Sequence, residues 1–324
     1  MFKQIPEVLT ADKLLDKAFR RTRKVSVSDR DAFFRKKKTI IAKTDCFAQN
    51  VINELNRYVK KFPSFDQLSQ FYRDTIDIKT DLGQLKKSLG AINWAENTCR
   101  KIYSKQIKTL RKSGDLDFLE KKQNEIYGRI SSVVKQVDKN LKNLSEAQRI
   151  IKRLPGILDI PTVVLAGYPN VGKSSLLRSL SNAKPHIAQY PFTTKEIHVG
   201  HMTQTERYNQ YKWQIIDTPG LLDRPIEERN NVEKQAIAAL AHLADVIVFI
   251  FDPSETSGYP LEKQKNLLKR MKQTFEDSHF IIVENKSDIK KTQSSNLKVS
   301  CKNQQGVEKV KEKIFNYHSE LEEE

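Results

Sequence analysis

The octapeptide Gly167-Tyr168-Pro169-Asn170-Val171-Gly172-Lys173-Ser174 constrains this chain more than any other stretch. It fits GxxxxGK[ST], directly after the apolar, strand-like run Thr162 to Ala166 and directly before a helical pattern. Glycines let the backbone wrap around oxyanions, and the N-terminus of the following helix turns free N–H groups and its positive dipole end toward them. Lys173 is then placed to reach terminal phosphates, and the Ser174 hydroxyl to ligate a divalent cation. Gly167, Asn170, Val171, Gly172 and Ser175 complete the candidate phosphate contacts. A strand, loop and helix in this order imply a parallel sheet covered by helices.

The chain after Pro161 obeys that grammar. Short apolar runs at Thr162 to Ala166, Gln214 to Ile216, Val246 to Phe251, Phe280 to Val283 and Leu297 to Val299 alternate with helical stretches. His198 to Met202 and Tyr211 to Ile216 read as one antiparallel pair added to the sheet. A closing helix carries Val307, Val310, Ile314, Tyr317 and Leu321 on one face.

Three further boxes follow the phosphate loop in order. Asp217-Thr218-Pro219-Gly220 ends a strand-like run, where Asp217 would hold magnesium and the Gly220 amide would sense a γ-phosphate. Asn285-Lys286-Ser287-Asp288 supplies a guanine reader, because the Asp288 carboxylate can accept from both N1–H and the exocyclic amine, where adenine presents a lone pair instead. Asn285 would brace the phosphate loop and Lys286 cover the base plane. Ser300-Cys301-Lys302 would offer amides to guanine O6. Tyr190-Pro191-Phe192-Thr193-Thr194 lies where a first switch must sit; Thr194, with Thr193 as the alternative, would bind magnesium and the γ-phosphate. The boxes define a Ras-like G domain over 158–324, with GTP/GDP and Mg²⁺ as cofactors. Its magnesium ligands are Ser174, Thr194 and Asp217, and its catalytic groups Lys173, Thr194 and Gly220. Leu221 stands where Ras-type proteins place the glutamine that orients water, so slow unassisted hydrolysis is expected. An asparagine at the position of Asn170 ligates K⁺ in some such GTPases.

Residues 1–157 read as an all-α helical bundle. Ile40, Phe47, Val51, Leu55 and Tyr58 recur at helical spacing until Pro63; Ile126, Ile130, Val133, Val137, Leu141, Leu144, Ala147, Ile151 and Leu154 form a longer series, ended by Pro155 and Gly156. Gly83, Gly90 and Gly114 are expected to mark turns or weak points. Charge separates the halves. Residues 1–150 hold 33 Lys and Arg against 18 Asp and Glu, and 151–324 hold 24 against 22. A surplus of this size in one domain repels itself without a polyanion nearby, and RNA is the commonest one. Arg21, Arg23, Lys24, Lys36, Lys37 and Lys38 are the candidate contacts. The longest apolar run, Val246 to Phe251, is six residues, far short of a membrane span. Cys46, Cys99 and Cys301 lack ligand spacing and read as reduced thiols of an intracellular protein, expected to be a monomer.

Segments beyond the generic boxes, Leu221 to Asn230, Gln235 to Leu240, Asp252 to Tyr259 and Tyr190 to Gly200, resemble the nucleolar GTP-binding protein 1 family of Obg-related GTPases, as does the opening Phe2 to Pro6. The resemblance implies a role in assembly of the large ribosomal subunit, with the helical domain on rRNA, other assembly factors as neighbours and no membrane. Eukaryotic members continue into a long basic extension, whereas this chain stops at Glu324; that resembles a compact archaeal form, for which a cytoplasmic rather than nucleolar location is expected. A nucleotide-gated RNA scaffold and a tRNA-modification or translation GTPase are the rival readings.

Overall fold

Short polar side chains fix where the helices of the first half begin. The computed structural model describes residues 2–189, 196–206, 209–224 and 228–323. Chain order opens with α1 (Ala11–Arg23), α2 (Ala32–Lys61), α3 (Gln70–Thr80), α4 (Leu82–Lys112), α5 (Leu116–Gln136) and α6 (Asp138–Ile151). Asp31 caps α2 by accepting from the amides of Phe33 (2.7 Å) and Phe34 (3.0 Å), and Asp115 caps α5 from Asp117 N (2.9 Å). Each such cap is worth about 1 kcal/mol. Thr10 offers α1 no side-chain cap; Asp138 Oδ1 instead accepts from Ala11 N at 2.9 Å.

Two compact units divide the chain: Met1–Gln67 with Thr80–Lys152, and Leu68–Lys79 with Arg153–Glu324. The first is all helical. Its core stacks Phe47, Val51 and Leu55 of α2 on Ile92 and Cys99 of α4, Ile126 and Ile130 of α5, and Leu141 and Leu144 of α6, all fully buried. The expected series from Ile126 to Leu154 is broken at Val137 (φ −98°, ψ 13°), between α5 and α6, and its last member, Leu154, lies beyond the end of α6. A one-residue break leaves the steps of three and four intact, so spacing alone runs through it. Gly83 and Gly90 mark no turn and lie inside α4, flanked by the buried Leu85 and Ile92. Core burial there outweighs about 1 kcal/mol of lost helix propensity per glycine.

The second unit carries β1 (Thr162–Ala166), α7 (Lys173–Leu180), β2 (His186–Gln189), β3 (Glu196–Glu206), β4 (Asn209–Asp217), α8 (Asn231–Ala241), β5 (Val246–Phe251), α9 (Leu261–Thr274), β6 (His279–Glu284), β7 (Leu297–Lys298) and α10 (Val307–Glu323). The sheet order is β2-β3-β4-β1-β5-β6-β7. Pairings of β1 with β4 and β5, of β5 with β6 and of β6 with β7 are parallel; β2–β3 and β3–β4 are the antiparallel additions. All residues of β1 and β5 are buried, as a strand covered on both faces requires. Because β1 is flanked by strands reached in opposite directions, its carboxyl end is the crevice where open α/β sheets bind ligands. The unit also recruits α3 from earlier in the chain. The Tyr72 hydroxyl donates to Pro155 O (2.8 Å) and accepts from Ile157 N (2.8 Å).

Candidate nucleotide site

Five loops leave the carboxyl ends of β1, β4, β5, β6 and β7 and converge on that crevice. The loop after β1 needs its glycines. Gly167 (φ 138°) would place a Cβ 2.6 Å from Ile250 O, and at Gly172 (φ 104°) a Cβ would lie 2.0 Å from Asn285 Nδ2. Asn170 also adopts a positive φ, 63°, and its exposed side chain makes no hydrogen bond among the described residues. Gly172 is the N-cap of α7, whose first residue is Lys173. The buried Lys173 ammonium donates to Gly167 O (2.8 Å) and Tyr168 O (2.9 Å), and burial pushes its pKa below the usual lysine value. An ammonium held at the loop mouth by carbonyls alone is poised to exchange them for oxyanions.

The register Leu165 to Asp217 sets the end of β4 beside the phosphate loop. Ser174 Oγ donates to Asp217 Oδ2 at 2.5 Å, while Oδ1 of this fully buried carboxylate has no hydrogen-bond partner among the described residues. Burial raises the Asp217 pKa, and the Ser174 bond and the Lys173 charge pull against it. Two adjacent hard oxygens, one of them orphaned, fit a magnesium ion. Thr193 and Thr194, the expected switch threonines, lie outside the described residues.

Gly220 has φ 75°, and the next residue, Leu221, is fully buried. Its side chain serves the core. Leu222 O accepts from Gly167 N at 3.2 Å, which couples this loop to the phosphate loop. Arg229, absent from the sequence-based site, is buried here and bonds Gly220 O, Asp223 and Arg224 O.

The guanine box is locked from two sides. Asn285 Nδ2 donates to Val171 O at 2.8 Å, and Asn285 Oδ1 accepts from Cys301 N at 3.2 Å, so one side chain spans the phosphate loop and the loop after β7. Asp288 Oδ1 accepts from Ser300 Oγ at 2.7 Å, and that bond holds its carboxyl below the ordinary range. Burial pushes the Cys301 thiol up to about 11, so it acts as a neutral wall. Lys302 is exposed, as is Ser175. Lys286 (φ 60°) donates to Asp252 Oδ2 (2.7 Å) and Thr256 Oγ1 (2.9 Å). Burial alone would raise Asp252, but bonds from Lys286, Ser254 and the Ser257 amide outweigh it and leave the pKa low. Asp252 was not among the sequence-derived site residues; its signal was the turn-forming Asp-Pro-Ser at the end of an apolar strand.

Residues 2–158 match the NOG1 N-terminal helical domain, and residues 162–286 match the 50S ribosome-binding GTPase family. An uncharacterized protein of Methanocaldococcus jannaschii is 38% identical over 292 residues, covering 89% of this chain and 81% of that one. Nucleolar GTP-binding protein 1 of Encephalitozoon cuniculi is 37% identical over 238 residues, 73% of this chain and 44% of its own length. The protein of that name from Saccharomyces cerevisiae is 34% identical over 292 residues, 89% and 44% respectively. The matches to these two proteins thus span less than half of their length.

Proposed function

The chain belongs to the nucleolar GTP-binding protein 1 family, and from that premise we propose that it is a GTP-hydrolysing switch in assembly of the large ribosomal subunit. In this reading residues 1–157 dock on rRNA or a precursor particle and residues 158–324 bind and hydrolyse GTP. The observation that carries it is the Asn285 side chain, which ties Val171 of the phosphate loop to Cys301 and so joins triphosphate grip and base recognition in one frame.

The Lys173 ammonium leaves its two carbonyls for the β- and γ-phosphate oxygens, and amides from Asn170 through Ser175 line the triphosphate. Ser174, Asp217 and Thr194 would hold Mg²⁺, which when bound offsets charge on the phosphate oxygens. The Gly220 amide donates to the γ-phosphate and is lost as a contact on hydrolysis, which releases the backbone that Arg229 holds at Gly220 O. Asp288 reads guanine N1–H and the exocyclic amine, Lys286 covers the ring, and the Ser300 to Lys302 amides face O6. Leu221, buried in the core, cannot orient water. Unassisted turnover is therefore on the order of 10⁻⁴ to 10⁻² s⁻¹, with acceleration from K⁺ at Asn170 or from the particle.

Single-turnover hydrolysis measured with and without precursor large subunits tests the switch. Particles should speed hydrolysis, or GTP should change particle affinity. If neither happens, the chain is a scaffold whose hydrolysis is incidental; co-sedimentation with tRNA or mature ribosomes alone would instead favour a translation role.

A further inference from the structure

We infer that the end of the helical unit bearing the start of α2, the end of α4 and the start of α5 binds single-stranded RNA, with Phe33, Phe34 and Phe118 stacking on unpaired bases. The inference rests on the RNA-docking reading above and assigns it a face and a mode of contact.

Among the described residues, the exposed phenylalanines are Phe33 (37%), Phe34 (51%) and Phe118 (39%). All three belong to one end of the bundle. Lys36 of α2 pairs with Glu120 of α5 at 2.8 Å, and Gln123 of α5 donates to Ile40 O of α2 at 3.0 Å, so the first turns of the two helices lie side by side. Tyr103 of α4 donates to Asp45 of α2 at 2.7 Å, which brings the last turns of α4 to the same end. Phe33 and Phe34 stand edge to face at 5.5 Å, and a surface cavity of about 530 Å³ opens between Phe118, Lys108 and Lys112.

Each of the three rings leaves more than a third of its surface in water, and exposed apolar groups gathered at one end of a domain mark an interaction site. The charge around them identifies the partner. Lys37, Lys108 and Lys112 make no ion pair among the described residues; Asp115, which caps α5, also lines the cavity, and there Lys108 and Lys112 outnumber it. Flat rings amid an excess of cations match the chemistry of unpaired nucleotides, whose bases stack on aromatic faces while phosphates meet lysine. A duplex hides its bases and offers such rings nothing.

The test uses the full chain and two RNA probes: a hairpin with 2-aminopurine in an unpaired loop, and the same sequence closed into a duplex. Loop binding should quench the fluorophore, and Phe34→Ala or Phe118→Ala should weaken loop affinity on the order of ten-fold each. The salt slope should not change, Phe34→Tyr should restore binding and Phe34→Leu should not. Equal affinity for loop and duplex, or alanine variants that bind the loop normally, would overturn the stacking face while leaving RNA docking by charge intact. Alanine variants that keep RNA affinity but lose precursor particles would assign the rings to a protein and overturn it as well. Absence of binding to either probe by the unaltered chain would instead remove the RNA-docking reading itself.

Discussion

Arg229, its side chain fully buried, donates from Nη1 to the carbonyl oxygen of Gly220 at 2.9 Å. Nη2 reaches Asp223 Oδ1 and Arg224 O at 3.2 Å, and Glu233, which closes a capping box with Asn230 at the head of α8, lies 4.0 Å from Nη1. The residue whose amide is proposed to sense the γ-phosphate is thereby tied, through its carbonyl, to the helix that follows it. Arg229→Met should lower GTP affinity about ten-fold, the worth of one charge-assisted hydrogen bond, and change GDP affinity little. Stability should also fall by about 3–5 kcal/mol, because Asp223 loses its buried partner. Titration with fluorescent GDP and a non-hydrolysable GTP analogue separates the two effects; equal losses for both nucleotides would deny Arg229 any part in γ-phosphate sensing.

Asp288 selects the base. Asp288→Asn should shift preference from guanine toward xanthine nucleotides, since the amide can accept at one ring position and donate at the other. Ser300→Ala removes the 2.7 Å bond that orients the carboxylate and should weaken GTP binding several-fold without changing which base is preferred. Competition between GTP and XTP checks both, and an unaltered GTP preference in Asp288→Asn would take this residue out of its role.

Asp217 is a carboxylate whose burial raises its pKa and whose Oδ1 lacks a partner among the described residues. Function holds such a charge in place at the expense of the fold. Asp217→Asn should raise the melting temperature of the nucleotide-free protein while removing the Mg²⁺ dependence of GTP binding. Calorimetry across a magnesium titration reads the second effect; a variant that melts lower and still responds to Mg²⁺ would contradict the assignment.

The site was legible where its chemistry is local. Gly167 to Ser174 must be contiguous to wrap a phosphate, and β1 and β5, covered on both faces, appear as unbroken apolar runs. Contacts across sequence were not legible. Lys286 finds Asp252 34 residues away, and Tyr72 ties α3 to Pro155 from 83 residues away. No periodicity encodes either pairing, because a single buried acceptor specifies its partner only after the chain has folded. Arg229 was hidden for the opposite reason: in a run as charged as Glu227-Glu228-Arg229-Asn230, an arginine reads as solvated surface.

Asn170 holds a left-handed backbone and a side chain uncommitted among the described residues. A K⁺ ion there would place positive charge beside the transferring phosphoryl group, as an arginine finger does. Single-turnover hydrolysis should run faster in KCl than in NaCl at equal ionic strength, and Asn170→Ala should abolish the difference without weakening GDP binding. Equal rates in the two salts would leave acceleration to the particle alone.

The structure divides the six candidate RNA-contacting cations. Lys36 pairs with Glu120, Lys38 with Asp29, and Arg21 donates to Asn50, whereas Arg23, Lys24 and Lys37 make no ion pair among the described residues. A cation that already has a counter-charge in the protein has less to gain from a phosphate and displaces fewer ions when it binds one. Neutralising Arg23, Lys24 or Lys37 to Gln should therefore each reduce the slope of log affinity against log salt by roughly 1. Lys36→Gln and Lys38→Gln should change it less, and should also leave Glu120 and Asp29 facing the RNA as new repulsive charges. Filter binding across a salt series distinguishes the sets. Slopes that fall equally for all five would mean that RNA breaks the two ion pairs, and unchanged slopes in the unpaired set would place the phosphate contacts on another face of the bundle.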